Sequence, residues 1–151
     1  MIESGDSSIK RSIEERGFVV LHPKGRSMRP FIKENDTVVV KRCEKIPSTG
    51  DCVVFERADG RIVLHRVVKV SDRGVLTRGD FERFYDTPIL FSQILGVVTE
   101  IRSNNKTVSV SDQRYIKRYE RWNGKGRSFR LFFYRFFVRA SGFLKRIIGI
   151  K

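Results

Sequence analysis

The stretch that says most about the fold is "DCVVFERADGRIVLHRVVKV", residues 51–70. Two runs rich in valine, isoleucine and leucine lie on either side of Asp59-Gly60, a dipeptide that suits the tight turn of a β-hairpin. Similar short runs, separated by turn residues, extend from residue 18 to about residue 111. Their spacing favours an antiparallel, mainly β domain over alternating strands and helices.

The two ends of the chain differ from this middle part. Residues 6–16 predict a short surface helix with only two isoleucines as its apolar content. After residue 111 the sequence becomes aromatic and basic, and "NGKG" at 123–126 should divide it into two helices. On a helical wheel the second of these has phenylalanines on one side and basic residues on the other. We therefore expect a β domain over residues 1–111 and a basic amphipathic helical extension over residues 112–151.

Charge and cysteine content narrow the class of protein. The formal net charge of +14 over 151 residues indicates an anionic partner, which could be nucleic acid, a membrane surface or an acidic protein. The two cysteines, Cys43 and Cys52, fit no metal-ligand spacing and form no disulfide framework. We interpret them as reduced thiols in preference to a disulfide, and we expect neither a metal nor a cofactor.

The N-terminal sequence "MIESGDSSIKRSIEERG" is too polar for the apolar part of a secretory signal. No stretch reaches the roughly 20 apolar residues that a membrane-spanning helix needs. We expect a protein of the cytoplasm or of the membrane periphery, with no signal peptide and no transmembrane helix.

A candidate nucleophile lies in "KGRSMRP", residues 24–30, where Ser27 is the only hydroxyl group. A serine hydroxyl becomes nucleophilic only with a base to take its proton and with donors for the oxyanion that forms. Such a base could be an unusually desolvated lysine or a histidine, and the chain has two histidines, His22 and His65. His65 lies within the predicted strand "VLHRVV", where a histidine is more often a packed structural residue.

Two aspartates follow in "TRGDFERFYD", Asp80 and Asp86. An aspartate after glycine is most often a turn former. A buried carboxylate beside a histidine, however, fixes the histidine tautomer and stabilises the imidazolium. These features together indicate a catalytic set: a serine in a loop, then a histidine in a strand, then the two aspartates.

Six blocks between residues 24 and 101 carry a resemblance to a known family. In order they read "GRSMRP", "NDTVVV", "GDCVVF", "LHRVV", "TRGDFERFYD" and "QILGVV". Together they resemble the catalytic core of type I signal peptidases, of the serine–histidine kind found in archaea and in the endoplasmic reticulum. The resemblance implies a signal-peptidase or LexA-like antiparallel β domain.

The resemblance also implies roles for individual residues. Ser27 falls on the nucleophile and His65 on the general base, while Asp80 and Asp86 fall on two aspartates of which one or both orient or charge-balance His65. Gly25 stands where some relatives have a serine that holds the oxyanion. The oxyanion hole would then rest on the backbone, through the N–H of Ser27 itself. His22 matches no family position, and we interpret it as structural.

The function that follows is a signal peptidase I-like serine endopeptidase acting on a peptide or preprotein in extended conformation. The alternative is a catalytically silent, membrane-peripheral module that binds peptides on the same fold. A third and less favoured hypothesis is a self-cleaving regulator like LexA. We expect no DNA-binding domain of that kind, since none is obvious in the sequence and the segment before the β domain is short. An active site requires the Ser27 hydroxyl within hydrogen-bond reach of a His65 ring nitrogen, with some looseness in a free enzyme.

Typical signal peptidases reach their substrates through an N-terminal membrane anchor, and we expect none here. The C-terminal amphipathic helix could replace it by lying on an anionic membrane, or its apolar face could instead cover the β core. Nucleic acid fits the charge, but the sequence contains no recognisable binding motif for it. The candidates for membrane contact are Phe132, Phe133, Arg135, Phe136, Phe137 and Arg139.

Overall fold

The computed structural model describes residues 6–104, 106–124, 126–133 and 136. Helix α1 spans Asp6–Arg16 and helix α2 spans Gln113–Asn123. The strands are β1 (Phe18–Leu21), β2 (Thr37–Lys41), β3 (Cys52–Glu56), β4 (Ile62–Val70), β5 (Gly74–Arg78), β6 (Ile89–Leu90), β7 (Ile94–Ser103) and β8 (Lys106–Ser109). A 3-10 turn at Phe91–Gln93 joins β6 to β7.

The strands in these described ranges form one sheet of eight, in the order β1-β2-β7-β3-β4-β5-β6, with β8 paired to β7. Every pairing is antiparallel. The long strand β7 lies between β2 and β3 and pairs with both, so it joins β1 and β2 to strands β3 to β6 in one sheet. The predicted mainly β, antiparallel fold with a short N-terminal helix and C-terminal helices is confirmed.

The hairpin predicted around Asp59-Gly60 is present between β3 and β4. The Arg57 N–H donates to the Arg61 carbonyl at 2.9 Å, which closes the turn. Gly60 has a φ of +81°, a backbone conformation that glycine adopts without steric cost. Because this turn fixes the register, Val53 lies opposite His65 and Cys52 lies opposite Arg66.

The register decides which side chains share a face of the sheet, since neighbouring residues in a strand point to opposite faces. The main apolar cluster consists of Val53, Phe55, Val67, Val75 and Ile89, all buried. His65 lies on this face of β4, and its ring contacts that of Phe55 with 6.3 Å between centroids. Arg66, the next residue, points to the other face.

The chain divides into two compact units, and the division lies between Ile116 and Lys117. In the first unit, α1 buries Ile9 and Ile13, the two isoleucines that formed its predicted apolar content. Tyr115, near the start of α2, is also buried in this unit.

In the second unit, α2 ends at Asn123 and the chain is helical again over residues 127–133. The predicted break at "NGKG" therefore separates two helical segments. None of the helices in the described ranges is long and apolar enough to cross a membrane.

Candidate active site

His65 is paired with Asp86 in the interior of the protein. The His65 Nδ1 and Asp86 Oδ2 atoms are 2.7 Å apart, and the two side chains are 8% and 6% exposed. Thr77, on β5, donates its hydroxyl to the same carboxylate at 2.8 Å, and Arg57 is bound to the other oxygen. The Asp86 N–H donates to the Thr77 carbonyl at 2.9 Å, which fixes the aspartate backbone beside β5.

These partners set the protonation of the pair. Burial favours the neutral acid, but the hydrogen bond and charge of His65, the Thr77 hydroxyl and the charge of Arg57 lower the pKa of Asp86 below its ordinary value of 3.8. At neutral pH the carboxylate is therefore ionised and can only accept hydrogen bonds. Nδ1 of His65 must then carry the hydrogen, and Nε2 is the nitrogen that can accept a proton.

The loop that holds Ser27 follows β1 and packs against the residues that follow β5. The Ser27 carbonyl accepts a hydrogen bond from the Phe81 N–H at 2.7 Å. A Cβ atom on Gly79 would lie 2.7 Å from the Ser27 carbonyl oxygen and 3.0 Å from the Ser27 Cβ. Only glycine permits this approach. The Ser27 side chain is half-buried, and Gly25, with a φ of +92°, turns the chain before it.

One segment, residues 77–86, thus contacts both halves of the candidate site. At its ends, Asp86 binds His65 and Thr77 binds Asp86. In its middle, Gly79 and Phe81 pack against the backbone of Ser27. No hydrogen bond joins the Ser27 hydroxyl to His65 in the described part of the chain. Catalytic hydrogen bonds are often long in a free enzyme and shorten when substrate binds.

Asp80 is paired with a buried arginine, Arg66. Its carboxylate accepts two hydrogen bonds from Arg66, at 2.8 and 2.7 Å, and both side chains are buried. Arg66 also donates to the Gly50 carbonyl and to the Tyr115 hydroxyl, each at 2.8 Å. The sequence left open which aspartate lies beside the histidine, and the structure has Asp86 there.

The remaining polar candidates lie away from this pair. His22 is exposed at the end of β1. Both cysteines are free; Cys43 is half-buried, and burial raises the pKa of Cys52 to about 11, so that thiol is neutral. Within the described ranges, no group of three or more His, Cys, Asp or Glu residues could hold a metal ion.

Several predicted membrane-contact residues are described and exposed. Phe132, Phe133 and Phe136 are 67%, 43% and 62% exposed. Phe129 was not among the predicted membrane-contact residues. It is exposed as well, and its ring lies 4.6 Å from that of Phe133. Arg135, Phe137 and Arg139 lie outside the described residues.

Sequence reasoning missed three residues of the site. Arg57 and Thr77 bind Asp86, and Gly79 permits the approach of the serine loop. Thr77 and Gly79 stand inside the quoted block "TRGDFERFYD", so the block itself was the available signal. Arg57 follows β3 and carries no motif, and only the sheet brings it to Asp86.

Comparison with protein families gives one match. Residues 4–78 match the Peptidase S24-like family model, a segment that contains Ser27 and His65 but ends before Asp80. The match relates the chain to the S24 and LexA-like peptidase superfamily and supports a serine-type peptidase fold, in a family that includes non-catalytic members. No match was found among curated proteins or among solved structures.

Proposed function

We propose that this chain is a signal peptidase I-like serine endopeptidase, with Ser27 as nucleophile and His65 as general base. The observation that carries the proposal is the buried His65–Asp86 pair at 2.7 Å, held by the segment that also packs on the Ser27 backbone. The Asp86 carboxylate lies at the Nδ1 atom of His65. An orienting carboxylate there is what leaves Nε2 ready to take a proton.

The reaction would proceed in two halves. The Ser27 Oγ attacks the scissile carbonyl carbon while His65 Nε2 takes the hydroxyl proton, and the Asp86 carboxylate stabilises the imidazolium. The tetrahedral intermediate collapses, the C–N bond breaks, and Nε2 returns the proton to the leaving amine. Water then attacks the acyl-enzyme by the same steps, which restores Ser27.

The oxyanion of that intermediate would be held by the backbone. The donor would be the Ser27 N–H, since a backbone N–H at the nucleophile can donate to the oxygen of the tetrahedral intermediate. Gly25, two residues earlier, offers no side-chain donor. This arrangement supports the proposal of a backbone oxyanion hole at Ser27.

Two features beside Ser27 favour an extended peptide with a small side chain at the cleavage site. A cavity of about 10 Å³ is lined by Ser27 together with Pro23, Lys24, Gly25, Met28, Ile32 and Leu64. Its volume corresponds to roughly one water-sized group, which suits a methyl side chain. Strand β1 ends the sheet order and leads into the serine loop, so a substrate could add as a further strand beside it.

Labelling with a fluorophosphonate, which reacts with activated serines, tests the proposal. We expect labelling of the wild type, none of Ser27→Ala, and a strongly reduced rate for His65→Ala. Ser92→Ala and His22→Ala change exposed residues of the same types and serve as controls. Equal labelling of Ser27→Ala and wild type would remove Ser27 as nucleophile.

The second candidate is the catalytically silent, membrane-peripheral peptide-binding module. It is favoured by the match to the Peptidase S24-like family model, since that family includes non-catalytic members. A folded wild type that neither reacts with the fluorophosphonate nor cleaves peptides ending in small residues, yet binds them in calorimetry, would establish this alternative. Fragments of the chain itself, absent in Ser27→Ala, would instead indicate self-cleavage.

Contact with an anionic membrane through the second unit is part of the same proposal. Four phenylalanines of this unit are exposed: Phe129, Phe132, Phe133 and Phe136. Exposed aromatic rings on a basic helical segment suit the interface of an anionic bilayer. Phe132→Ser with Phe133→Ser should weaken co-sedimentation with anionic vesicles, and unchanged co-sedimentation would remove this contact.

A further inference from the structure

A loop beside the candidate active site exposes two aromatic side chains. Phe84 and Tyr85 are 78% and 54% exposed. Each ring lies beneath a guanidinium group: that of Arg83 is 5.8 Å from the Phe84 centroid, and that of Arg78 is 4.8 Å from the Tyr85 centroid. Such stacking joins a cation to an apolar surface. We call residues 81–85 the aromatic loop.

The aromatic loop is anchored at both ends. Asp80, before it, is bound by Arg66, and Asp86, after it, is bound by His65 and Arg57. Inside the loop, the Glu82 N–H donates to the Gly79 carbonyl at 2.9 Å. Because its ends are fixed by buried ion pairs, the loop presents its rings with little conformational entropy left to lose on binding.

The charges around the rings indicate the kind of partner. Asp80 and Asp86, which flank the loop, are buried and paired with cations. Inside the loop Glu82 is half-buried, whereas Arg83 is exposed. Outward-facing aromatic rings with stacked arginines match a lipid interface, where rings enter the boundary between headgroups and acyl chains and guanidinium groups bind phosphates.

We propose that the aromatic loop inserts Phe84 and Tyr85 into the interface of an anionic membrane. This contact is separate from the one proposed for the second unit, and it does not depend on whether Ser27 reacts. Phe81, the first residue of the loop, donates to the Ser27 carbonyl at 2.7 Å. Insertion would therefore bring the candidate nucleophile close to the bilayer surface, where it would act on membrane-associated substrates.

Co-sedimentation of the full chain with vesicles tests the insertion. The vesicles are phosphatidylcholine alone or phosphatidylcholine with phosphatidylglycerol. Phe84→Ser with Tyr85→Ser should weaken binding to the anionic vesicles roughly tenfold, since each ring buries substantial apolar area. The matched control, Ile46→Ser with Leu90→Ser, changes two residues that are also exposed and should bind as the wild type does.

Two outcomes of that experiment would overturn the proposal. One is equal binding of wild type and the Phe84→Ser, Tyr85→Ser variant. The other is a loss of binding as large in the control as in the loop variant, which would show a nonspecific effect of lost apolar surface. Because lipid binding is measured without catalysis, failure here is distinct from failure of the peptidase proposal.

A second variant keeps an aromatic side chain at position 84 and measures the polarity around it by fluorescence. Phe84→Trp in a Trp122→Phe background leaves one tryptophan, at the loop tip. Its emission should shift to the blue with anionic vesicles, and an unchanged spectrum would contradict insertion.

If Phe84→Ser with Tyr85→Ser raises KM for a soluble peptide and leaves vesicle binding unchanged, the rings contact substrate and the membrane proposal is wrong.

Discussion

The sharpest test of the site is Asp86→Asn, which keeps the shape of the side chain and removes its charge. At the 2.7 Å separation of His65 Nδ1 and Asp86 Oδ2, a full imidazolium would be stabilised by about 6 kcal/mol in an effective dielectric of roughly 20. The charge on the ring is only partly developed in the transition state, so we expect a loss of about 4 kcal/mol. That corresponds to roughly a thousandfold in rate.

Two further effects act in the same direction. The side-chain amide that Asp86→Asn introduces could donate to Nδ1, which would hold the tautomer whose Nε2 carries the hydrogen and cannot accept the serine proton. Arg57, bound to Asp86 in the wild type, would be left with its charge uncompensated near the ring. Both effects lower the acylation rate without removing Ser27 from its loop.

The measurement is the rate of fluorophosphonate labelling, or kcat for a cleaved peptide, in wild type and Asp86→Asn. Asp72→Asn is the control, because it makes the same chemical change at an exposed position. Thermal unfolding of each variant separates loss of rate from loss of fold. A decrease of less than tenfold in a folded Asp86→Asn protein would refute the assignment of Asp86 as the residue that orients and charge-balances His65.

The same contacts give three other predictions. Because the pKa of Asp86 is lowered by folding, its contribution to the free energy of unfolding is present above its ordinary value of 3.8 and lost as pH falls through the lower folded value. Acid unfolding followed by circular dichroism should therefore show wild type and Asp86→Asn converging below pH of about 4, and parallel curves would contradict this. Asp80→Asn leaves the buried Arg66 uncompensated and should cost about 3–5 kcal/mol in urea unfolding; an unchanged midpoint would show that the pair is not buried. Gly79→Ala places a Cβ 2.7 Å from the Ser27 carbonyl oxygen and should slow labelling while far-UV circular dichroism is unchanged, and a wild-type labelling rate would show that the serine loop does not depend on this approach.

The strands could be predicted because each carries a local signal. Runs of β-branched residues between turn formers mark β1 to β5, β7 and β8, and Asp59-Gly60 marks the hairpin. Strand β6, at Ile89–Leu90, was not predicted, nor was the 3-10 turn after it. Two residues are too few to show a period, and they form a strand only because Ile89 pairs with Val75 of β5.

The partners within the site depend on contacts that no local pattern encodes. His65 and Asp86 are 21 residues apart, and they meet because Val67 of β4 pairs with Thr77 of β5. Asp80 and Asp86 both follow β5, so the sequence offered no reason to favour either one for the histidine. Spacing along the chain cannot report which face of a sheet a following loop reaches.

The division of roles between the two aspartates follows from the alternation of side chains in β4. His65 and Arg66 are neighbours and point to opposite faces, so the segment after β5 must supply a carboxylate to each face. Asp80 neutralises a buried arginine and Asp86 an imidazole.

A shift of β4 by one residue would turn His65 away from Asp86 and bring Arg66 to the apolar cluster, at the cost of a buried unpaired charge. The register is set by the turn at Asp59-Gly60 and by the bulge between Val67 and Lys69. The buried Arg66–Asp80 pair therefore makes this one-residue shift of β4, which would break the His65–Asp86 contact, unfavourable. The pair helps to specify the register of β4 even where its net contribution to stability is small.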